Sequence, residues 1–274
     1  MVMIINAERT QSYSLYTIKN PYFDLQAEMG ITKHMGGLKA TRELIELCHI
    51  DIDKDTYVLD VGCGVGMSAC YIAKKYGCRV VGVDIREEMI ARSTERAERE
   101  GVEGRVEFRV ADAQNLPFEA ALFDAVISES VTAFPEDKRE AISEYVRVTK
   151  PGGYIGLNET TWIKTPPPAE VVEYVFRSAG GCKPETSDGW KELLESSGLS
   201  DIVVKTYKFP IGQFVSDIRM VGFTGIFKAC GRLLSLYLKS PAHREAIKEL
   251  KKEGWRSPKN LLEYYGYGIY VGKK

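Results

Sequence analysis

The residues of this 274-residue chain best suited to chemistry stand at a glycine-rich turn. Val58-Leu59-Asp60-Val61 is an apolar run carrying one carboxylate, and Gly62-Cys63-Gly64-Val65-Gly66 leads from it directly into a helical pattern. Alternating glycines let the main chain turn sharply and approach a ligand closely, while the start of the following helix presents N–H groups to it. A turn of this kind also simply punctuates a strand–helix junction, so its context decides. The next apolar run, Val80-Val81-Gly82-Val83, ends in Asp84, an acidic side chain at a strand tip that can accept hydrogen bonds from both hydroxyls of a ribose. The local alternative for Asp84 is to cap the helix beginning near Arg86. A nucleotide-like cofactor fits this pair of strand ends.

The elements that must position these residues are legible as an alternation. Tyr57 to Val61, Arg79 to Asp84, Val106 to Val110, Phe123 to Ser128 and Tyr154 to Asn158 read as strands. Met67 to Tyr76, Glu87 to Glu100 and Glu136 to Thr149 read as helices, with Gly77, Gly101 and Pro151-Gly152 as stops. Strands alternating with helices predict an α/β fold with a parallel sheet covered on both faces. Residues 1–50 read as an N-terminal cap of short helices, with apolar spacing from Leu38 to Ile50, and 51–211 as the α/β core. Within the core's second half, Ala169 to Ser178 and Trp190 to Ser197 are expected helices and Ile202 to Phe209 a strand. A mostly helical insertion or lid over 212–260 precedes a closing strand in 261–274, near Tyr264 to Val271.

Composition narrows the function. Lys and Arg number 37 against 38 for Asp and Glu, giving a net charge of −1, so no global field gathers nucleic acid. Six scattered cysteines without a CxxC pair, and histidines only at 34, 49 and 243, provide no metal-site spacing and suit reduced thiols in a cytoplasmic protein. The longest apolar stretch, Met220 to Leu238, is interrupted by Lys228 and Arg232, which argues against a membrane span but leaves weak surface contact open.

A dinucleotide fingerprint wants glycine at the third position after Gly64. Met67 stands there and Gly66 comes one place early, so the pattern is GxGxG. With Asp60 in the strand, it resembles motif I of the class I S-adenosylmethionine-dependent methyltransferases. Val110-Ala111-Asp112-Ala113 resembles the segment that binds the adenine amine in that family, Phe123-Asp124-Ala125-Val126-Ile127-Ser128 its fourth-strand motif, and Lys150-Pro151-Gly152-Gly153 the turn before strand five. The resemblance implies a Rossmann-like seven-stranded sheet whose last strand is antiparallel, with S-adenosyl-L-methionine across the carboxyl ends of the first and fourth strands. It implies that Gly62, Gly64 and Gly66 face the methionine part, Asp84 holds the ribose, Ile85 and Ala113 flank the adenine and Asp112 accepts from its amine. Asp60, Cys63, Met89, Ser128 and Glu129 complete the expected cofactor set, and no metal is expected.

Ile31-Thr32-Lys33-His34-Met35-Gly36-Gly37-Leu38-Lys39-Ala40-Thr41 is similar to the cap of small-molecule methyltransferases such as the phosphoethanolamine N-methyltransferases. In those enzymes an upstream tyrosine pairs with a histidine after strand four. Tyr16 lies at a matching distance, whereas Phe134 stands where the histidine belongs. The resemblance makes Tyr16 and His34 both cofactor contacts and, with Glu129, catalytic candidates. His34 is the histidine whose pKa range suits a base, and a backbone-satisfying role is its structural alternative. Glu129 and Glu159 follow expected strand ends and are read as orienting a cationic acceptor, acting as a base, or lying as solvated loop carboxylates. Cys63 reads as a small filler, and Cys182 in Gly180-Gly181-Cys182 as a loop thiol facing substrate. The acceptor is expected to be a small organic molecule. A lipid, quinone or sterol-type acceptor, and an NAD-dependent oxidoreductase or nucleotide-binding module, are the alternatives.

Overall fold

The computed structural model describes Phe23, residues 34–50, 55–209 and 257–274, and single positions between 231 and 248. Tyr16, most of the expected N-terminal cap and nearly all of the expected 212–260 insertion lie outside the described residues.

The helix α1 (Gly37–Leu47) precedes the alternation β1 (Tyr57–Val61), α2 (Met67–Tyr76), β2 (Arg79–Asp84), α3 (Glu87–Glu100), β3 (Val106–Val110), β4 (Phe123–Glu129), α4 (Lys138–Val148) and β5 (Thr149–Trp162). Then follow α5 (Ala169–Ser178), β6 (Glu185–Thr186), α6 (Ser187–Ser196), β7 (Ser200–Lys208), α7 (Leu261–Tyr264) and β8 (Tyr265–Lys273). The main sheet runs β3-β2-β1-β4-β5-β8-β7, with the two-residue β6 added alongside β5. β1 to β5 pair in parallel, and β8 lies antiparallel between β5 and β7. The sheet is therefore Rossmann-like, and its closing strand has the expected reversed direction.

Both faces are covered, so the central strands read as nearly continuous apolar runs. Val58, Val80, Ile127 and Ile269 pack against Leu44 and Ile45 of α1 and Ala69 and Ile72 of α2. Leu59, Val81, Val126 and Leu157 pack on the other face against Ile142 and Tyr145 of α4 and Trp190 of α6. The chain leaves β1 toward β2 and β3 on one side and resumes with β4 and β5 on the other. That reversal opens a crevice at the carboxyl ends of β1 and β4, where ligands of open α/β sheets bind.

The main correction concerns β5. Expected from Tyr154 to Asn158, it runs from Thr149 to Trp162. Lys150-Pro151-Gly152-Gly153, read as a turn, belongs to the start of this irregular strand, where Gly152 donates its N–H to Lys274 O. At the other end, polar Glu159-Thr160-Thr161 continues the strand because β8 pairs antiparallel with it as far as Trp162 opposite Tyr265. The helix expected from Trp190 starts earlier, at Ser187, where the Thr186 hydroxyl accepts from Gly189 N.

Candidate functional site

The glycine turn after β1 has the geometry its composition demands. Gly62, Gly64 and Gly66 all have positive φ (72°, 53° and 74°), which a side chain rarely adopts. Gly62 N and Cys63 N both donate to Val83 O, at 2.7 and 2.9 Å, locking the turn to the end of β2. A Cβ on Gly62 would overlap the side chain of Val131, which comes from the loop after β4. Gly66 caps α2 with no side-chain hydrogen bond from the described residues at that helix end.

Asp84 connects the turns after β1 and β2. Its Oδ2 accepts from Gly64 N and its Oδ1 from Arg86 N, both at 3.0 Å. The local capping role of Asp84 is thus real, and with three backbone donors on two oxygens the carboxylate keeps acceptor capacity for one more. Burial raises its pKa to about 6, against the N–H donors of Arg86, Gly64 and Ile85. The end of β3 sits alongside, since Ala111 N donates to Asp84 O at 3.0 Å. Asp112, Ala113 and Ile85 are half-buried there, and Asp112 Oδ1 accepts from Gln114 N at 2.9 Å. Met89 is buried with Val65 against Phe23. The Phe23 ring lies 5.4 Å from that of Phe134, edge to face, and 5.9 Å from the Arg86 guanidinium. An aromatic residue of the N-terminal segment therefore bridges the loops after β2 and β4.

Glu129, at the end of β4, is the hub of a buried polar cluster. Its carboxylate accepts from Ser68 Oγ at 2.6 Å, from Thr41 Oγ1 at 3.0 and 3.2 Å, and from Asn158 Nδ2 at 3.1 Å. His34 Nε2 lies 2.9 Å from Thr41 Oγ1 and 3.7 Å from Glu129 Oε2. A hydroxyl has one proton: when Thr41 gives it to Glu129, it can only accept from His34, which puts the imidazole proton on Nε2. Asn158 Nδ2 also donates to Met35 O at 2.7 Å, while Met35 N donates to Ser130 Oγ at 3.1 Å. Both polar groups of the Met35 peptide are consequently held by the ends of β4 and β5. Replacing Thr41 with the isosteric valine removes the bridge and leaves Glu129 short of a donor, with an expected loss of about 1–3 kcal/mol of stability. Urea unfolding checks it, and a loss within error would remove Thr41 from the network.

The remaining carboxylates and thiols are equally buried. One Asp60 oxygen accepts from Ala69 N–H and the other, Oδ2, has no partner among the described residues; burial and the nearby charge of Glu129 push its pKa well up. Glu159, weighed as a pocket or solvated carboxylate, is fully buried within β5, and its Oε1 accepts from Val131 N and Thr132 N at 2.9 and 2.6 Å. Burial raises its pKa to about 7. Ser128 Oγ pairs with Thr132 Oγ1 at 3.0 Å. Cys63 is buried with a raised pKa, in keeping with a filler. Cys182 does not face a substrate: it is buried beside Thr160 Oγ1 at 3.2 Å, and burial pushes its thiol up to about 12. Thr41, Ser68, Ser130 and Asn158 join the site without a sequence motif that marks them as site residues. Asn158, a polar residue closing an apolar strand run, was the available signal; Ser68 looked like any early helix serine.

A doubly wound sheet with a glycine cradle and a strand-tip carboxylate at its switch point defines a Rossmann-like α/β protein built for a nucleotide-type ligand. A methyltransferase-domain family model matches residues 58–153. An uncharacterized protein of Haemophilus influenzae is 34% identical over 180 residues, covering 64% of this chain and 70% of that protein. Phosphoethanolamine N-methyltransferase 1 of Arabidopsis thaliana is 30% identical over 170 residues, 62% of this chain. Phosphoethanolamine N-methyltransferase 2 of Haemonchus contortus, solved with phosphomonomethylethanolamine and S-adenosylhomocysteine, shares the fold with a TM-score of 0.72 over 96% of this chain, at 19% identity. The chain spans 33% of the Arabidopsis enzyme and 60% of the Haemonchus chain. The chain belongs to the class I S-adenosylmethionine-dependent methyltransferases. That assignment sets aside the NAD-dependent oxidoreductase. No helix among the described residues is long and apolar enough to cross a membrane.

Proposed function

We propose that this chain transfers a methyl group from S-adenosylmethionine to a small organic acceptor at nitrogen, oxygen or carbon. The observation carrying the reading is Asp84, whose carboxylate ties together the turns after β1 and β2 while keeping acceptor capacity at the switch point. Three features fit the cofactor: the positive-φ glycines that make the sharp turn after β1, the remaining acceptor capacity of Asp84, and Asp60 Oδ2, an acceptor suited to an ammonium or an ordered water.

In this reading Asp84 holds the ribose, Asp112 the adenine amine, and Ile85, Met89 and Ala113 the adenine faces. Gly62, Cys63, Gly64 and Gly66, with Asp60, Ser128 and Glu129, surround the methionine part. The cofactor supplies a methyl group already activated by its sulfonium, so the protein's work is alignment and exclusion of water. His34 is assigned proton removal from the acceptor, held in orientation by Thr41 and Glu129. Because Glu129 already receives Thr41, Ser68 and Asn158, it orients the histidine rather than acting as a separate base. Tyr16 and the 212–260 segment are assigned to closure over the acceptor. Phe134 in place of a histidine disfavours phosphoethanolamine itself.

A second reading, a lipid, quinone or sterol-type acceptor, is favoured by exposed Leu234 and Leu238, which are 60% and 65% accessible. Isoprenoid or lipid copurifying with the protein would select it. The deciding experiment for the cofactor is a thermal shift: S-adenosylhomocysteine raises Tm and NADH does not. No shift with S-adenosylhomocysteine overturns the proposal. Transfer of labelled methyl groups into an extract, followed by mass spectrometry, then identifies the acceptor.

A further inference from the structure

Glu159 is a carboxylate buried in the sheet, far from the glycine turn in sequence, and the cofactor-binding reading gives it no task. Its surroundings supply one. Glu159 Oε1 accepts from two successive backbone N–H groups, Val131 and Thr132. The preceding residue, Ser130, has a left-handed φ of 60°, an uncommon conformation for a side-chain-bearing residue that must be held by its surroundings. Ser130 N donates to Asn158 O at 2.7 Å, and Ser130 Oγ accepts from Met35 N, so the same short loop also carries the segment containing His34. The Val131 side chain, meanwhile, fills the space directly over Gly62. The loop 130–132 thus touches β5, the glycine turn and the N-terminal segment at once. Two adjacent N–H bonds to one carboxyl oxygen tie the loop to β5 at two successive residues.

We infer that Glu159 is a positioning residue for the methyltransferase site: by gripping the Val131 and Thr132 amides it presses Val131 onto Gly62 and fixes the glycine turn in its cofactor-ready shape. The inference rests on the cofactor reading given above. It makes Glu159 act through the loop, with no contact to acceptor or reacting atoms. Neither a solvated nor an acceptor-facing glutamate would couple to Val131 in this way.

The test is a double-mutant cycle read by calorimetric titration of S-adenosylhomocysteine at low temperature, with circular dichroism to establish folding. Glu159→Leu, which keeps volume and removes the acceptor, is expected to weaken binding at least tenfold. Glu159→Gln, which keeps a carbonyl oxygen for the two amides, is expected to stay within about threefold of wild type. In a Val131→Ala background the Glu159→Leu loss should shrink, because the route through the Val131 side chain is already gone. A folded Glu159→Leu protein with wild-type affinity, or a loss undiminished by Val131→Ala, overturns the inference. Should Glu159→Leu not fold, Val131→Ala alone decides: it must weaken binding, and unchanged affinity overturns the inference. Wild-type protein that fails to bind S-adenosylhomocysteine sinks the cofactor reading instead, so the two failures are distinguishable.

Discussion

Asp84→Ala is expected to weaken S-adenosylhomocysteine binding by roughly 10- to 100-fold, about 1–3 kcal/mol, through the loss of charge-assisted bonds to the ribose. The substitution also releases Gly64 N and Arg86 N, which Asp84 accepts from at 3.0 Å, so the turn loosens as the ligand contact disappears. Asp84→Asn separates the two effects, since its amide oxygen can still accept one of those N–H groups. Titration calorimetry reads both, and wild-type affinity in Asp84→Ala removes the residue from the site.

The same residue sets a pH dependence. Hydroxyl donors favour an ionised carboxylate, and burial holds Asp84 at about 6 in the ligand-free protein. Affinity therefore rises as pH increases through about 6, with proton release, and this rise is absent in Asp84→Asn. For stability without ligand the sign is opposite. A carboxyl with a raised folded-state pKa retains a proton that the unfolded chain has already released. The protein consequently loses this stabilisation as pH rises from about 4 to about 6.

The second large effect is expected at Gly62. Alanine there must adopt a φ of 72° and drive its methyl group into Val131. A left-handed alanine costs about 1 kcal/mol or more, and overpacking typically another 1–3, so unfolding free energy should fall by about 2–4 kcal/mol. Adding Val131→Ala relieves the steric part and not the backbone part. Partial recovery in urea unfolding is thus the expected signature. A loss below about 1 kcal/mol for Gly62→Ala alone would mean that the loop yields easily and that the contact carries little.

Much of this protein was legible along the chain. The glycine turn, the Asp84 strand tip and the β1-α2-β2-α3-β3 alternation follow from local rules: period-two or continuous apolar runs, helical spacing, and backbone dihedrals that favour glycine. Each depends on residues near one another in sequence, so composition and spacing suffice to find them. β5 is harder to read because its last residues are polar, and pairing with β8 along one edge and with β6 on the other keeps Glu159, Thr160 and Thr161 extended and buried.

The residues' roles were decided by tertiary structure. Glu129 looked like one more carboxylate after a strand until folding brought it Thr41 from 88 positions away, Ser68 from 61 and Asn158 from 29. Glu159 reads along the chain as an acceptor-orienting, basic or solvated carboxylate and Cys182 as a loop thiol facing substrate, yet both are buried, one gripping a loop and the other beside Thr160. The physical reason is common to all of them. A polar side chain's chemistry is set by which donors and acceptors the fold places around it once water is removed, and those partners arrive from strands and helices that the sequence keeps far apart.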